Sequence, residues 1–282
     1  MLTLKQFSAM NISHSRFSLE YFLDGMREIG FENVEFWGAT PHYNYMAPQR
    51  EQQKHIKRLF RERNLNMVCF TPEQCVYPFN IAAKDDCIRK MSIDYFLRCI
   101  EDAAGFGCEK IMITPGWGNF DEPEEEAWKR SGDSVDLLLS KSEKEGVVIV
   151  YEILQPSESN LVTDLKSLKR MMENFDSPYM ACCVDTVPMC CAGETLEDYF
   201  REFGGKIQHI HLNDGTPSGH LAWGNGTQNL EEHLRTLDRH GYQGFITFET
   251  CDSEYALSPN DAFRQDYDAV RNTLEKIRGA AL

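Results

Sequence analysis

The sequence predicts an α/β protein that folds as a single (β/α)8 TIM barrel, with residues 1–282 forming one domain. Three observations favour this fold. Eight short β-rich runs alternate with longer stretches whose apolar residues recur at helical spacing. Glycines stand where the helices should end, and the next strand begins within a few residues. No glycine-rich nucleotide-binding signature follows any strand, which argues against a doubly wound open sheet.

The predicted strands and helices alternate along the whole chain. In chain order, the strands are TLKQFSAM, VEFW, NMVCFT, KIMIT, VVIVYE, YMACCVD, KIQHIH and GFITFE. The helices are predicted at 19–30, 49–64, 85–107, 124–145, 164–175, 196–203, 230–240 and 261–278, each with an apolar stripe and charges elsewhere. Five of the helix-to-strand joints are marked by Gly30, Gly107, Gly146, Gly204 and Gly241.

Composition and charge limit the classes of function. With 42% hydrophobic residues the chain can bury a large core, and its apolar runs fall short of the roughly 20 residues that a membrane helix needs. The net charge of −15 opposes binding to nucleic acid or anionic membranes, so a small-molecule ligand is favoured. No signal-peptide pattern is present, and we expect a cytoplasmic protein. The ten cysteines stand mostly in apolar segments, which predicts reduced core thiols.

Polar side chains end four consecutive predicted strands. Strand 5 ends in Glu152, strand 6 in Asp185, strand 7 in His211 and strand 8 in Glu249. Because the carboxyl ends of barrel strands meet at one mouth, these four side chains should lie close together. The alternation of side chains along a strand puts Val150 on the same face as Glu152, so apolar residues should fill the barrel beneath the carboxylates.

Three carboxylates at one mouth would repel one another unless a cation lay among them. No lysine or arginine occupies an equivalent strand end. Three carboxylates and one imidazole suit one divalent metal ion per subunit, with Mn²⁺ preferred and Co²⁺, Mg²⁺, Ni²⁺ or Zn²⁺ also suited. Any one of the four alone could be a rim residue bound to loop amides. The prediction of a metal site depends on all four occurring at successive strand ends.

At these positions the sequence resembles the xylose-isomerase-like barrel superfamily, which includes sugar isomerases, epimerases and endonuclease IV. Within it, the similarity is to ketose 3-epimerases of the fructoselysine type, and it covers nearly the whole chain. The motifs that carry it are VEFWGATPH, FTPEQCVYPFN, YEILQPSESNLVTD, VDTVPMCCAGETLEDYF and HIHLNDGTPSGHLAWGNGT. The most specific parts are Tyr77-Pro78-Phe79-Asn80 and the Pro-x-Glu-Ser-Asn run at 156–160.

The resemblance implies roles for the four strand-end residues. Glu152, Asp185, His211 and Glu249 would bind the metal, and the two glutamates would be the acid and base on opposite sides of the sugar. Metal binding at the C2 carbonyl would acidify the C3 proton and stabilise a cis-enediolate. One glutamate would remove that proton, and the other would return one to the opposite face.

Further residues are expected around the mouth. Glu158 matches a family residue that contacts the reacting end of the substrate, with a helix-end carboxylate as the alternative. His209 fits a hydrogen-bonded core histidine better than a fifth ligand. An aromatic ring could bind a sugar face and a carboxylate could meet an ammonium group, and loop packing is the alternative for each candidate: Trp37, His42, Glu73 and Trp117.

The chain also departs from simple ketose 3-epimerases. They carry a His three residues after the strand 6 Asp and an Arg six residues after the strand 7 His, where this chain has Pro188 and Pro217. Both positions help to grip a free ketose, so their loss weakens an assignment to psicose or tagatose. His220 matches a substrate-side His of the fructoselysine type, although the turn after it is altered at Trp223 and Asn225.

The sequence therefore predicts an isomerase, a metal-dependent 3-epimerase of a ketose or ketoamine, which binds a sugar and forms a homo-oligomer. An aldose–ketose isomerase of a sugar or sugar phosphate, or an inosose-type dehydratase, could use the same site. An abasic-site endonuclease is disfavoured because the chain is acidic and strands 2 to 4 end in Trp37, Thr71 and Thr114, where histidines would be needed. A carbohydrate-binding barrel without activity is the remaining alternative.

Overall fold

The computed structural model describes residues 1–47, 49–74 and 79–279. Eight parallel strands close into a barrel in the order of the sequence, and β1 pairs with both β2 and β8. The strands β1 to β8 are Phe7–Met10, Asn33–Gly38, Asn66–Pro72, Lys110–Ile113, Val148–Glu152, Met180–Asp185, Ile207–His211 and Phe245–Phe248. The predicted (β/α)8 barrel is therefore confirmed.

Nine α-helices within the described residues surround the barrel. The helices α1 to α9 are Leu19–Ile29, Gln49–Glu62, Asp86–Phe106, Glu124–Glu145, Leu165–Met172, Thr186–Cys191, Leu196–Phe203, Leu230–Arg239 and Pro259–Gly279. Eight of them match the predicted segments to within a few residues. The sequence did not predict α6, a short helix that begins directly after β6 and whose first turn is capped by the carboxylate of Asp185, which accepts a hydrogen bond from Val187.

Two glycines show why the helices end where predicted. Gly107 after α3 and Gly146 after α4 have φ of 78° and 70°, in the left-handed region where other residues are strained. Their backbone N–H groups donate to carbonyls of the last helical turn, such as those of Ala103 and Ser142. This conformation satisfies the helix end and turns the chain toward the next strand.

The barrel interior contains a small apolar cluster. Cys69, Met112, Val150, Ala181 and Cys183 are buried together there, in agreement with the inward faces predicted for β5 and β6. A far larger apolar core lies between the strands and the surrounding helices. Helices and barrel are therefore held together mainly by the burial of apolar surface.

Beside this apolar cluster the interior is polar, and there the structure differs from the expected apolar filling. Glu35, His209 and Thr247 are completely buried, and Thr71 nearly so. Hydrogen bonds join them: Glu35 to His209 at 2.6 Å, Thr71 to Glu35 at 2.5 Å, and Thr247 to His209 at 3.1 Å. Buried polar groups persist when they satisfy one another. In this set Glu35, Thr71 and Thr247 are satisfied, whereas Nδ1 of His209 has no hydrogen-bond partner among the described residues.

The cysteines and the helix compositions were also predicted. Each cysteine in the described ranges is a free thiol, in agreement with the predicted reduced state, and Cys75 lies outside those ranges. No α-helix in the part of the chain that the structure describes is long and apolar enough to cross a membrane.

Candidate active site

Four neighbouring strands bring their terminal side chains to one point at the mouth. Glu152, Asp185 and His211 are the last residues of β5, β6 and β7, and Glu249 directly follows β8. The pairing of Asp185 with His211 places two of the strand ends side by side. Ligand atoms of all four residues lie within 4.8 Å of one another, in a largely buried setting. The structure thus brings together all four residues predicted from the sequence.

His211 is flanked by carboxylates on both edges of its ring. Nδ1 lies 2.7 Å from Glu152 Oε1 and 2.9 Å from Glu249 Oε2. Nε2 is hydrogen-bonded to both oxygens of Glu35 at 3.1 Å. In contrast, Nδ1 and Glu152 Oε1 are buried and have no hydrogen-bond partner of suitable geometry among the described residues. Such convergent, unsatisfied donor atoms are typical of a metal-binding site.

The donor set fits a divalent cation. Three carboxylates and one imidazole nitrogen are ligands that Mn²⁺, Co²⁺ and Zn²⁺ accept, and the many oxygens also suit Mg²⁺. Within the described ranges, the ion pairs of Glu152, Asp185 and Glu249 involve only His211 and His220, with no lysine or arginine. The residues present therefore suit a bound metal ion.

Proton affinities in the site reflect its surplus of negative charge. Burial raises the pKa of Glu152 to about 8, His211 opposes the shift, and Glu249 and Asp185 add to it. Burial lowers the pKa of His211, but nearby carboxylates, Glu35 first, raise it well above its ordinary value. Both directions show that the site favours added positive charge, whether from a proton or from a metal ion.

His220 lies beside the same carboxylates. Its Nε2 is 3.0 Å from Asp185 Oδ2 and 3.7 Å from Glu249 Oε2. Burial lowers the pKa of His220, but the charge and hydrogen bond of Asp185, with Glu249 and Glu158, raise it to about 10. The structure therefore places this predicted substrate contact directly against two of the predicted metal ligands.

A buried carboxylate organises the loop that carries His220. The side chain of Asp214 accepts hydrogen bonds from four backbone N–H groups, those of Gly215, Gly224, Gly226 and Gln228. Asp214 and Leu221 also pair through their backbones. A Cβ atom added at Gly226 would stand 2.3 Å from Asp214 Oδ1, so glycine is required at this close approach. The loop is thus built around Asp214.

Glu158 and Trp117 lie at the rim of the mouth. They line a cavity of about 300 Å³ with Phe120 and the segment 156–160. Burial raises the pKa of Glu158, and the charges of His220, Glu249 and Asp185 also act on it, which places Glu158 near the strand-end cluster. Its Oε2 accepts a hydrogen bond from the Gln155 N–H at 2.9 Å. Glu158 thus belongs both to the lining of this cavity and to the charged surroundings of His220, Glu249 and Asp185.

The motif at 77–80 supports the position of Trp117. Tyr77 and Pro78 lie outside the described residues. The amide of Asn80 donates to the Trp117 carbonyl at 2.8 Å and accepts from its N–H at 3.1 Å. Asn80 thereby fixes the loop after β4 against the loop after β3.

Trp37 and Glu73 follow β2 and β3 near the mouth. Trp37 is half-buried and two residues beyond Glu35, so alternation along β2 turns both side chains toward the barrel axis, with Trp37 nearer the mouth. Glu73 is half-buried one residue after β3, where the hydroxyl of Tyr95 bonds to its backbone. Both residues occupy positions from which they could contact a ligand.

Among the described residues, the hydrogen bonds of His42 involve none of the four strand-end residues. Its Nδ1 is 2.7 Å from the Asn11 amide, and its Nε2 donates to the Phe17 carbonyl at 3.0 Å. It lines a groove with Leu19 and Glu20 of α1. Both ring nitrogens are thus used in packing the loop after β2.

Reasoning from the sequence missed Glu35 and Asp214. For Glu35, the available signal was one carboxylate inside the short apolar strand VEFW, in phase with Trp37. For Asp214, it was an aspartate followed by glycine in a long loop, which is typical of carboxylate-centred turns. Glu35 lies inside β2 and Asp214 lies in the loop after β7, so neither stands at the end of a strand, where the sequence predicts the site.

Solved structures of two sugar epimerases and of one further protein have the same fold. A 3-keto-D-glucoside 4-epimerase from E. coli superimposes with a TM-score of 0.80 at 18% identity, covering 95% of this chain and 99% of that chain. An L-ribulose 3-epimerase gives a TM-score of 0.79 at 20% identity, with 98% and 96% covered. A structure described as IOLI protein with a zinc atom gives 0.77 at 17% identity, with 96% and 98% covered.

Sequence comparison gives relatives over most of the chain. Fructoselysine 3-epimerase of Shigella flexneri is 28% identical over 265 residues, which is 93% of this chain and 95% of the relative. A probable endonuclease 4 of Persephonella marina is 26% identical and covers 84% of each chain. The epimerases among these proteins agree with the predicted isomerase class. A family model described as xylose isomerase-like TIM barrel matches residues 23–273, and the chain belongs to this family.

Proposed function

We propose that this protein is a divalent-metal-dependent sugar epimerase that inverts C3 of a ketose or ketoamine. The observation that carries the proposal is the convergence of Glu152 and Glu249 with Asp185 and His211 at one mouth of the barrel. The similarity to fructoselysine 3-epimerase along most of both chains supports a ketoamine such as fructoselysine as the substrate.

Four residues would hold the metal ion, one ion per subunit: Glu152, Asp185, His211 and Glu249. The unsatisfied Nδ1 of His211, between two carboxylates, supports this assignment. Mn²⁺ is the proposed ion, and Co²⁺, Mg²⁺, Ni²⁺ or Zn²⁺ would also suit the donor set. When bound, the ion would polarise the C2 carbonyl and so acidify the C3 proton.

Glu152 and Glu249 are the proposed acid and base. Inversion at C3 requires a group that removes a proton from one face of the sugar and another that delivers a proton to the opposite face. The two glutamates come from β5 and from the end of β8, with β6 and β7 between them around the barrel. A sugar lying over His211 would then have one of these two carboxylates on either side.

Other residues would bind and orient the sugar. We assign Trp37, Trp117, Glu158 and His220 to substrate contact, and Glu73 to an ammonium group on the part of the substrate remote from C3. The cavity of about 300 Å³ that Trp117 and Glu158 line supports the assignment of these two residues. We assign His42 to loop packing, since both of its ring nitrogens bind the protein itself.

The assignment extends to the setting of the enzyme. We propose that residues 1–282 form one domain that works in the cytoplasm as a homo-oligomer. The net charge of −15 supports a sugar ligand over nucleic acid, even though a probable endonuclease 4 is among the relatives.

The test is exchange of the C3 proton with solvent. Purified protein with Mn²⁺ should exchange the C3 proton of fructoselysine with D₂O, as followed by NMR. In the variants Glu152→Gln and Glu249→Gln, kcat should fall about 10²- to 10⁴-fold, as expected for the removal of a general acid or base. Glu126→Gln, on the exposed surface of α4, is the matched control and should behave as the wild type.

The same measurement separates the alternatives. Label at C1 or C2 would indicate an aldose–ketose isomerase, and loss of water would indicate a dehydratase. Cleavage of an abasic-site duplex at physiological salt would support an endonuclease. The absence of exchange across a panel of ketoses and ketoamines, with metal bound, would overturn the proposal.

A further inference from the structure

Glu35 is a completely buried carboxylate that reaches across the barrel from β2 to β7. Three side chains meet it: Thr71 Oγ1 at 2.5 Å from Oε1, His209 Nε2 at 2.6 Å from Oε2, and His211 Nε2 at 3.1 Å from both oxygens. Within the described ranges its ion pairs involve only these two histidines. A carboxylate so buried is stable only when donors surround it, so each neighbour is assigned as a donor to Glu35.

This assignment determines which nitrogen of His211 faces the site. A neutral imidazole carries one N–H group, and the other nitrogen offers a lone pair. A metal ion would take the place of the proton on Nδ1 and leave the ring neutral. If Nε2–H donates to Glu35, the lone pair of Nδ1 in that neutral ring is directed toward the ion between Glu152 and Glu249. Nδ1 is the nitrogen that the structure leaves buried and without a hydrogen-bond partner among the described residues. A metal-binding histidine commonly donates its other N–H to a carboxylate in this way.

We infer that Glu35 is a positioning residue that accepts the Nε2–H of His211 and so presents Nδ1 as the metal-binding atom. The inference rests on the metal-dependent function proposed above. It assigns to Glu35 no contact with the sugar and no proton transfer.

The surroundings of Glu35 hold it in one orientation. Thr71 fixes Oε1 from the neighbouring strand β3, and His209 fixes Oε2 from β7. The hydroxyl of Thr247 lies 3.1 Å from this same Nε2 of His209 and is itself bonded to Ser8 at 2.7 Å. The carboxylate therefore cannot rotate away from His211 without breaking bonds in a buried network.

The competing explanation is that Glu35 only satisfies polar groups of the barrel interior. Two variants separate these roles. Glu35→Gln keeps the shape but removes the negative charge and replaces one of the two acceptor oxygens beside His211 by an NH₂ group. Thr71→Val removes a donor to Glu35 and leaves the contact with His211 intact. A structural role predicts similar effects of both variants on metal affinity, and a positioning role predicts an effect mainly of the first.

The experiment is a Mn²⁺ titration of the full chain followed by electron paramagnetic resonance. We expect Glu35→Gln to bind Mn²⁺ about 10- to 100-fold more weakly than the wild type, the range typical of lost outer partners of a metal-binding histidine. Thr71→Val should change the affinity far less. Thermal unfolding of each variant without added metal reports its fold.

A second measurement needs no variant. NMR of ¹⁵N-histidine-labelled wild type with Zn²⁺ bound should show His211 protonated at Nε2. Protonation at Nδ1, or wild-type Mn²⁺ affinity in a folded Glu35→Gln, would overturn the inference alone. Failure of the wild type to bind any of these ions would overturn the proposed function together with it. Should Glu35→Gln not fold, the protonated nitrogen of His211 decides the question.

Discussion

Asp266 of α9 is hydrogen-bonded to both loops that carry the site residues His220 and Glu249. Its carboxylate accepts the Trp223 N–H at 2.7 Å from the loop after β7, and the Thr250 hydroxyl at 2.6 Å from the loop after β8. Asp266 is completely buried. Burial raises its pKa from 3.8 to about 7, although both hydrogen bonds act in the opposite direction.

The raised pKa gives the stability a defined dependence on pH. Between about pH 4 and pH 7 the folded protein binds the proton of Asp266 more tightly than the unfolded chain does. Protonated Asp266 therefore contributes fully to the free energy of unfolding below pH 4, and this contribution is lost as the pH rises through 7. The difference between 3.8 and about 7 corresponds to about 4 kcal/mol, since one pKa unit is 1.36 kcal/mol. Ionised Asp266 therefore destabilises the fold at pH 8.

Asp266→Asn removes that cost. The asparagine carbonyl can still accept from Trp223, and the Thr250 hydroxyl must turn to accept from the new amide, at a cost of about 1 kcal/mol. We expect the variant to be about 2–3 kcal/mol more stable than the wild type at pH 8, and equal or slightly less stable at pH 4.5.

Urea denaturation at both pH values measures this difference, and the contributions of all other titrating groups cancel between the two proteins. Asp136→Asn, on the exposed surface of α4, is the control and should show no dependence of its effect on pH. A free-energy difference between Asp266→Asn and the wild type that is the same at pH 4.5 and pH 8 would refute the reasoning.

Three further predictions concern the site. Mn²⁺ at 100 times its Kd should stabilise the fold by about 2.7 kcal/mol, raising the thermal midpoint until EDTA is added, and an unchanged midpoint would contradict a metal site. Gly226→Ala should lower kcat while Mn²⁺ still binds, because the added Cβ would stand 2.3 Å from Asp214 Oδ1 and displace the loop that carries His220. Wild-type kcat in this variant would count against a role of the loop in turnover. Trp117→Ala should raise KM for a ketoamine more than it lowers kcat, since this ring lines the cavity that Glu158 also lines. Steady-state kinetics measure both constants. Tyr21→Ala, at an exposed aromatic residue of α1 outside that cavity, is the comparison, and equal effects of the two variants would contradict the assignment.

The barrel and its four strand-end residues could be predicted because their signals are local. The run VVIVYE has the form of a buried strand that ends at the mouth, and β5 is Val148–Glu152 as expected. Helix α4 was predicted with its observed bounds, Glu124–Glu145, because its apolar stripe and the glycine after it are both in the sequence. Order around the barrel follows from order along the chain, so neighbouring strand ends meet without further information.

The supporting residues could not be predicted, because their roles depend on distant contacts. Glu35 meets His209 across 174 positions of sequence, and no pattern near Glu35 identifies that partner. His42 was expected at the mouth from its place after strand 2, but the loop turns it toward Phe17. The path of a loop is set by its own hydrogen bonds, which strand and helix periodicity do not encode.

The polar layer beneath the mouth links these observations. An apolar layer would have packed the barrel well, and replacing buried charged or polar pairs by apolar residues is often neutral or stabilising. Glu35, His209 and Thr247 therefore add little that the fold itself requires. Their hydrogen bonds do restrict the ring of His211, the one imidazole among the four convergent side chains. The arrangement fits the proposed metal site, which would need its histidine ligand oriented before an ion binds.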